Sequence, residues 1–306
     1  MGIPLMMHGL QPLRALMRMV GALCGAIKAG PLLLVLGLAA ALAPPAAASD
    51  LAALAAGLDD AGAARVTEVI DGDTVRLADG REVRFVGIQA PKLPLGRRGF
   101  KEWPLAPEAR QAVVDLIGGQ TVVVRPGATG MDRHGRVLAH LFRQSDGLWI
   151  QGALLRQGLA RVYTFPDNRL LAREMLAAEA EARAAGRGVW ALEWYAVRDA
   201  EALAARTGPV EDAFLLVRGV VRDVARVRGA TYLNFGADYR TDFTVALDAR
   251  ARRLFEAEGI DPATLQGREV LVRGWIRSRN GPMIEATHPE QLLTDPALVR
   301  ARKEDE

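Results

Sequence analysis

Strand-like runs grouped around a single helix occur twice along this chain of 306 residues and predict its fold class. In each half, three runs rich in β-branched and apolar residues precede a helix and two further runs, from Arg65 to Phe142 and again from Phe214 to Ala286. This succession is that of an OB barrel, and the length leaves room for about two domains. We therefore predict a mainly β protein with helices (α+β): one OB-fold barrel followed by a second OB-like β-barrel domain.

The first barrel is predicted from its strand runs and its turn signals. The runs cover residues 65–70, 73–77, 83–88, 121–124 and 137–142. Asp79-Gly80 is a strong hairpin signal between the second and third runs. Pro107-Glu108 suits the first turn of a helix, and Gly118-Gly119 ends that helix.

Two more helices complete the first domain, which we place at residues 64–192. A short one covers 154–158, and a long one runs from Asp167 as N-cap to Gly186 as its stop. Its apolar stripe has helical spacing and is predicted to pack on the barrel: Leu171, Met175, Ala178 and Ala182. Glu179 and Arg183 are predicted to pair on the outer side.

The second half is predicted as a linker over 193–209, an OB-like domain over 210–292 and a charged tail over 293–306. Its strand runs cover 214–227, 231–235, 243–247, 269–276 and 283–286, with a helix over 250–258. The two halves share the order of their elements and no sequence repeat.

The N-terminal residues predict export. Arg14, Arg18 and Lys28 precede an apolar run of about a dozen residues, and Ala46-Ala47-Ala48 follows it. We predict a signal peptide over 1–48, an alanine-rich lead-in over 49–63, and a periplasmic or secreted protein. The alternative is an anchor formed by an uncleaved N-terminal segment.

Removing residues 1–48 changes the charge and thiol content of the chain. The segment contains three of the 39 lysines and arginines and none of the 36 acidic residues, so the formal net charge falls from +3 to zero. Global charge therefore does not indicate nucleic acid, and binding must rest on local patches. The single cysteine, Cys24, is also lost, which excludes disulfides, cysteine zinc sites and thiol catalysis.

Charged residues on strand faces and at strand ends are the candidate functional residues. Asp73 and Arg84 each share a strand face with apolar residues and need partners, because an unpaired buried charge is costly. Arg136 ends the segment Asp132-Arg-His-Gly-Arg before a strand. Two arginines can grip a phosphate bidentately, and a carboxylate can hold Ca²⁺ or Mg²⁺. The remaining histidines, 134, 140 and 288, are too scattered to predict a histidine metal site.

Four motifs in register resemble the thermonuclease family, the staphylococcal-nuclease-like domains. They are Ile70-Asp-Gly-Asp-Thr-Val, Arg84-Phe with Pro91 seven residues on, Asp132-Arg-His-Gly-Arg136 and Leu155-Arg-Gln-Gly-Leu-Ala160. The resemblance covers residues 65 to about 190. It implies an OB barrel with helices and a calcium-dependent phosphodiesterase that cleaves DNA and RNA.

The resemblance assigns roles to several residues of this chain. Asp73 corresponds to the calcium-binding aspartate, and Arg84 and Arg136 to the phosphate-gripping arginines. His134 stands where an aromatic residue is common and can stack on a base.

One family segment is altered, because Asp-Thr-Pro-Glu reads Gln89-Ala90-Pro91-Lys92 here. A neutral amide replaces the second calcium carboxylate, and Lys92 replaces the general base. The predicted metal ligands are then Asp73, Gln89 and the backbone carbonyl of Ala90.

These replacements make the site three charge units more positive and leave two readings open. Calcium is expected to bind weakly if the protein is active, with Glu102, or else Glu108, as the new base. Alternatively, Lys92 joins Arg84 and Arg136 in binding phosphate without cutting.

Basic residues beside an aromatic predict nucleic-acid contacts in the second half. Arg218, Arg222, Arg226 and Arg228 would share one face of an unbroken strand, as would Arg273, Trp275, Arg277 and Arg279. We predict Arg222, Trp275 and Arg277 as substrate-binding residues, because OB surfaces grip single strands in this way. The alternatives are an ordinary solvated sheet face, or a face that binds protein or glycan.

The sequence thus predicts an exported, metal-dependent hydrolase of phosphodiester bonds in nucleic acid. The alternatives are a catalytically inactive protein that binds nucleic acid or an envelope component, and an interaction protein in which both barrels are scaffolds.

Overall fold

The computed structural model of the chain describes residues 55–206 and 213–300. The predicted signal peptide, the beginning of the lead-in, the end of the linker and the last residues of the tail lie outside the described residues. Within the two described ranges, no helix combines the length and the apolar character needed to cross a membrane. The described residues belong to one compact unit, Pro45–Glu306.

The N-terminal half is a closed barrel with helices packed on it. Its strands are β1 (Ala63–Asp71), β2 (Thr74–Leu77), β3 (Glu82–Phe85), β4 (Ile88–Gln89), β5 (Thr121–Met131), β6 (Val137–Arg143) and β7 (Arg161–Val162). Its helices are α1 (Ala106–Ile117), α2 (Ile150–Arg156) and α3 (Ala172–Ala184). The barrel order is β1-β2-β3-β6-β5, with β3 and β6 parallel, and it confirms the predicted OB succession.

Local chemistry explains the first turns and helix. Gly80 has a φ of +87° in the predicted hairpin turn, a conformation that glycine adopts without strain. In α1 a proline occupies the first turn, with Glu108 beside it, and Val113 and Ile117 are buried on the inner side. The predicted start and stop of α1 are confirmed.

The long helix differs from its prediction at its start and on its outer side. It begins at Ala172, and the side chain of the predicted N-cap, Asp167, instead accepts a hydrogen bond from Thr129 Oγ1 at 2.9 Å. The predicted stripe is buried on the barrel side. Glu179 and Arg183 are buried as well, so the prediction that they form an exposed pair is wrong. The C-terminal half covers that face of the helix.

The C-terminal half is a single sheet with helices packed against it. Its strands are β8 (Arg198–Asp199), β9 (Phe214–Val220), β10 (Asp223–Val227), β11 (Ala230–Asn234), β12 (Thr244–Leu247), β13 (Glu269–Ser278), β14 (Pro282–Glu285) and β15 (Leu292–Leu293). Its helices are α4 (Ala200–Ala204), α5 (Ala249–Ala257) and α6 (Pro296–Val299). The order is β10-β11-β12-β14-β13-β9-β8, with β15 also on β13.

Segments predicted as linker and tail are packed where the structure describes them. Strand β8 pairs in parallel with β9, and Ala200 and Leu203 of α4 are buried in the C-terminal core. Val299 of α6 is buried in the core of the N-terminal half, as are Phe214 and Leu271. The two halves therefore share a packed boundary.

Candidate functional site

Asp73 lies in the tight connection between β1 and β2 and is fully buried, with 0% of its surface exposed. Gly72 permits this, because a Cβ there would come within 2.7 Å of the Ala90 Cβ and 2.8 Å of the Ala109 Cβ. Oδ1 of Asp71 accepts a hydrogen bond from the backbone N–H of Asp73 at 2.9 Å. The Asp-Gly-Asp turn therefore packs closely on Ala90 and on Ala109 of α1, and it brings the carboxylates of Asp71 and Asp73 to one place.

Both oxygens of the Asp73 carboxylate have close donors. Lys92 Nζ lies 2.6 Å from Oδ1 and 2.7 Å from Oδ2, and 3.3 Å from Oδ2 of Asp71. The backbone N–H of Ala90 donates to Asp73 Oδ2 at 2.7 Å, and Arg84 Nη2 lies 3.2 Å from the same oxygen. We call Asp71, Asp73, Arg84 and Lys92 the charged cluster.

Burial and charge act differently on the two carboxylates. Burial raises the pKa of Asp71, and the negative charge of Asp73 raises it further. Burial also works against the ionised form of Asp73, but the positive charges of Arg84 and Lys92 outweigh it and hold the pKa of Asp73 below its usual range. Negative charge is therefore held on Asp73, where Lys92 meets it.

The Arg84 guanidinium is fixed by backbone carbonyls. Nη1 donates to the carbonyl oxygen of Phe85 at 2.8 Å and to that of Asp73 at 3.3 Å. Nη2 donates to the carbonyl oxygen of Ile88 at 2.7 Å. Because these acceptors lie in strands or at their ends, the guanidinium is held in one orientation. Together with the Asp73 carboxylate, these contacts engage both Nη atoms, so the Nε–H is the donor that Arg84 can direct at a phosphate.

Arg136 is held by the loop that precedes it. Oδ1 of Asp132 accepts hydrogen bonds from the backbone N–H groups of His134 (2.8 Å) and Arg136 (3.0 Å). Its Oδ2 accepts from Arg136 Nε at 2.8 Å and lies 2.7 Å from Nη2. Burial opposes ionisation of Asp132, yet the hydrogen bonds from residue 136 leave its pKa lowered. The motif therefore builds a turn that orients Arg136.

A cavity of about 570 Å³ brings the two predicted phosphate-binding arginines together. Arg84 and Arg136 both line it, and His134 lines it as well. Tyr163 and Phe165 add an aromatic wall, with ring centroids 5.1 Å apart in an edge-to-face arrangement. Guanidiniums beside aromatic rings match the phosphate and base of a nucleotide.

The predicted metal ligands are not brought together as a calcium site. Oε1 of Gln89, the atom that would bind a cation, accepts hydrogen bonds from Arg161 Nε (3.1 Å) and Nη2 (2.7 Å). The buried Arg161 guanidinium needs this acceptor, which is why the amide is engaged there. Beside Asp73 lies the ammonium of Lys92, and the described residues contain no group of three or more metal-binding side chains. Calcium takes six to eight oxygen ligands, so the residues as arranged do not fit this ion.

The predicted replacement bases do not belong to the cavity. Glu102 is exposed in the loop after Lys92, and Glu108 is exposed in the first turn of α1; neither lines the cavity. The carboxylates that do line it are Asp132, which is paired with an arginine, and Asp167.

Of the substrate-binding residues predicted in the C-terminal half, Trp275 reaches the cavity wall. Its Nε1 donates to the Tyr163 hydroxyl at 2.9 Å, and 39% of its surface is exposed. Arg277 is exposed near the end of β13, and Arg222 is exposed and lies 3.1 Å from Glu201.

The two predicted basic faces are interrupted. The strand that was to carry Arg222 and its neighbours is broken between Val220 and Asp223, so it presents no continuous face. On β13, Arg273 is buried, with its Nη1 2.6 Å from Oε2 of Glu179.

Sequence reasoning missed Asp71, Arg161 and Tyr163. Asp71 had a signal, since it stands two residues before Asp73 in the same motif. Arg161 and Tyr163 had no signal in the sequence. Arg161 matters through its hydrogen bonds to Gln89, and Tyr163 through its hydrogen bond from Trp275, and both partners are distant in sequence.

The closed barrel with its helices, and the arginine-lined, aromatic cavity beside it, have the architecture of an OB-fold protein. A family model described as "Staphylococcal nuclease homologue" matches residues 82–192. Among curated proteins, the chain is 31% identical over 133 residues to an "Uncharacterized endonuclease" of Escherichia coli, covering 41% of this chain and 75% of that protein. The chain belongs to the staphylococcal nuclease homologue family, as the motifs predicted.

A plant protein is also similar to this chain. The chain is 34% identical over 139 residues to the "Probable staphylococcal-like nuclease CAN2" of Oryza sativa subsp. japonica, covering 45% of this chain. The match spans only 33% of the rice protein. Together with the endonuclease relative, it supports the prediction that this chain is a nuclease.

Proposed function

We propose that this chain hydrolyses phosphodiester bonds of nucleic acid in the cavity shared by Arg84 and Arg136. The observation that carries the proposal is the convergence of these two oriented guanidiniums on one cavity with an aromatic wall. The nuclease names of the relatives support the same reaction.

In the proposed hydrolysis, the residues of the cavity have separate roles. Arg84 and Arg136 bind the nonbridging oxygens and stabilise the negative charge that gathers on them as water attacks phosphorus. Asp167 takes a proton from the attacking water while the ester P–O bond breaks, and the leaving oxygen gains a proton from solvent. Tyr163 and Phe165 hold the adjoining base by stacking. No step in this scheme passes through calcium, because the charged cluster does not fit that ion.

A second candidate is nucleic-acid binding without cleavage. One observation favours it: Lys92, at the position of the family base, is bonded to Asp73 and is not placed to accept a proton. A protonated lysine is a poor base unless its pKa is strongly lowered.

A nuclease assay on the purified chain decides between the two. We expect cleavage of DNA or RNA oligonucleotides that is lost in Arg84→Ala/Arg136→Ala and strongly reduced in Asp167→Asn. Glu102→Gln tests the base predicted from sequence and should cut normally. Parallel reactions with EDTA and with added calcium test the predicted metal dependence. Binding without cleavage above the double-alanine control would establish the second candidate.

We also propose that the C-terminal half is a second OB-like barrel closed through a bent first strand. Its pairing order repeats that of the first barrel, with β12 and β14 parallel. Between β9 and β10, the N–H of Val221 bonds to Arg268 and that of Arg222 bonds to Asn234 (3.0 and 2.8 Å). The chain thus changes partner from the β13 side to β11 at this point, as a bent closing strand does.

For location, we propose export to the periplasm or the medium after removal of residues 1–48. The support is the basic region, short apolar run and small-residue site of the sequence. Intact-mass analysis of protein from its native host should give an N-terminus near Ser49, and recovery of the unprocessed chain in a membrane fraction would indicate an anchor.

A further inference from the structure

The Lys92 ammonium occupies a position that suits a cation. Its Nζ lies within 2.7 Å of both oxygens of Asp73 and 3.3 Å from Oδ2 of Asp71. A calcium ion bound to the same carboxylate oxygens would sit about 2.3–2.6 Å from them. The ammonium and such an ion cannot occupy this place together.

Backbone hydrogen bonds on both sides hold Lys92 in this position. Ala90, two residues before it, donates its backbone N–H to Asp73 at 2.7 Å, so backbone and side chain of one short segment grip the same carboxylate. On the other side, the carbonyl oxygen of Lys92 accepts a hydrogen bond from the N–H of Trp103 at 3.1 Å. These bonds fix the start of the side chain and limit its freedom to withdraw.

Among the described residues, the side chains around Lys92 provide no set of ligands for a metal ion. Gln89 is engaged by Arg161, and Arg84 places another positive charge beside Asp73. Two carboxylates face two cationic side chains within the charged cluster, so its formal charges cancel without a bound ion.

We propose that Lys92 is the permanent cation of this site, a tethered replacement for the divalent ion, so that the protein assembles the site and binds nucleic-acid phosphate without metal. The binding of phosphate rests on the proposed function, whereas the exclusion of calcium does not. The two parts are tested by separate measurements.

The first measurement is calcium binding by the full chain in the absence of nucleic acid. Isothermal titration and thermal unfolding should detect no binding to the natural protein at millimolar calcium and no shift of its melting temperature. Gln89→Asp/Lys92→Glu should bind calcium at least 100-fold more tightly and melt at a higher temperature when calcium is present. Lys101→Glu, which introduces two of the same three negative charge units at an exposed lysine, should behave as the natural protein does.

Lys92→Met is the second variant, because the double replacement crowds carboxylates and can fail to fold without metal. It removes the ammonium and adds no ligand, and it should gain at most weak calcium binding. Submillimolar calcium binding by the natural protein would overturn the proposal. So would a Gln89→Asp/Lys92→Glu protein that folds and still ignores calcium.

The second measurement is binding of a single-stranded oligonucleotide with EDTA or calcium. The natural protein should have equal affinity in both. Affinity that calcium raises tenfold or more would overturn metal-free binding, and no binding in either buffer would refute the proposed function while leaving the exclusion of calcium intact.

Discussion

At the scale of single residues, the places of Asp73, Arg84 and Arg136 in the fold could be predicted, because each stands in a short motif whose backbone geometry is local. The position of the Lys92 ammonium on the Asp73 carboxylate could not be predicted. It depends on how far the Lys92 side chain reaches and on Arg161 engaging Gln89 from a distant strand. Sequence identified the charge change, and the structure adds that the new positive charge lies on the carboxylate itself.

Gly72 gives a test of how the site is packed. Gly72→Ala should destabilise the fold by about 1–3 kcal/mol, because its Cβ would lie 2.7–2.8 Å from Ala90 and Ala109 in a close-packed region. It should also weaken nucleic-acid binding by displacing Asp73. Urea unfolding measures the first effect. Gly130→Ala, where no atom lies within 4 Å of the added Cβ, should cost little, and equal effects of the two variants would contradict this packing.

Two buried histidines predict how stability depends on pH. Burial lowers the pKa of His140 to about 4. Burial, together with the positive charges of Arg169 and Arg273, lowers the pKa of His288 to about 4. Both are neutral in the folded protein, whereas the unfolded chain binds protons below about pH 6.5. Stability should therefore fall as the pH drops from 6.5 towards 4, by about 2 kcal/mol per histidine between pH 7 and 5.

Urea unfolding at several pH values checks this dependence. In His140→Gln/His288→Gln, the change in unfolding free energy between pH 7 and 5 should shrink by more than half. A variant that keeps the full pH dependence would show that other groups cause it.

At the scale of elements, the order of strands and helices could be predicted because hydrophobic periodicity and turn residues act over a few positions. The exceptions are the strand predicted over 214–227, which is broken, the segments predicted as linker and tail, which are packed, and α3. On α3, the burial of Glu179 depends on the C-terminal half, which covers a face that periodicity alone marks as solvent-exposed. A helix that packs on two partners has more buried surface than one apolar stripe indicates.

The Glu179–Arg273 pair joins α3 to β13 and should matter for stability. Glu179→Gln leaves the buried Arg273 guanidinium without its counter-charge, and we expect a loss of about 3 kcal/mol in unfolding free energy. Glu181→Gln, on the same helix in an exposed pair with Arg156, should cost less than about 1 kcal/mol. Glu179→Leu/Arg273→Leu should recover part of the loss, and similar costs for residues 179 and 181 would contradict the buried pair.

At the scale of the whole molecule, the two halves meet beside the candidate site. Arg161 of the first half donates to the carbonyl oxygen of Phe214 at 2.9 Å, and the Thr164 hydroxyl lies 2.8 Å from His288 Nε2. Trp275 brings the C-terminal sheet to the cavity wall at Tyr163. Because the core is shared across this boundary, nucleic-acid binding by the C-terminal half is best measured on the full chain.

The structure gives different expectations for Arg277 and Arg222, which the sequence predicted together as contacts for nucleic acid. Arg277 follows Trp275 by two residues on β13 and lies on the same face. A nucleic-acid strand whose base stacks in the cavity would therefore pass Arg277. Arg222 lies between β9 and β10, where Glu201 already opposes its charge. We expect Arg277→Ala to lower the slope of log K against log salt by about 0.7 for a single-stranded oligonucleotide, as loss of one phosphate contact does. Arg222→Ala should leave that slope unchanged. Fluorescence anisotropy over a series of salt concentrations measures both, and a slope altered equally by the two variants, or by neither, would mean that the nucleic acid does not follow β13 away from the cavity.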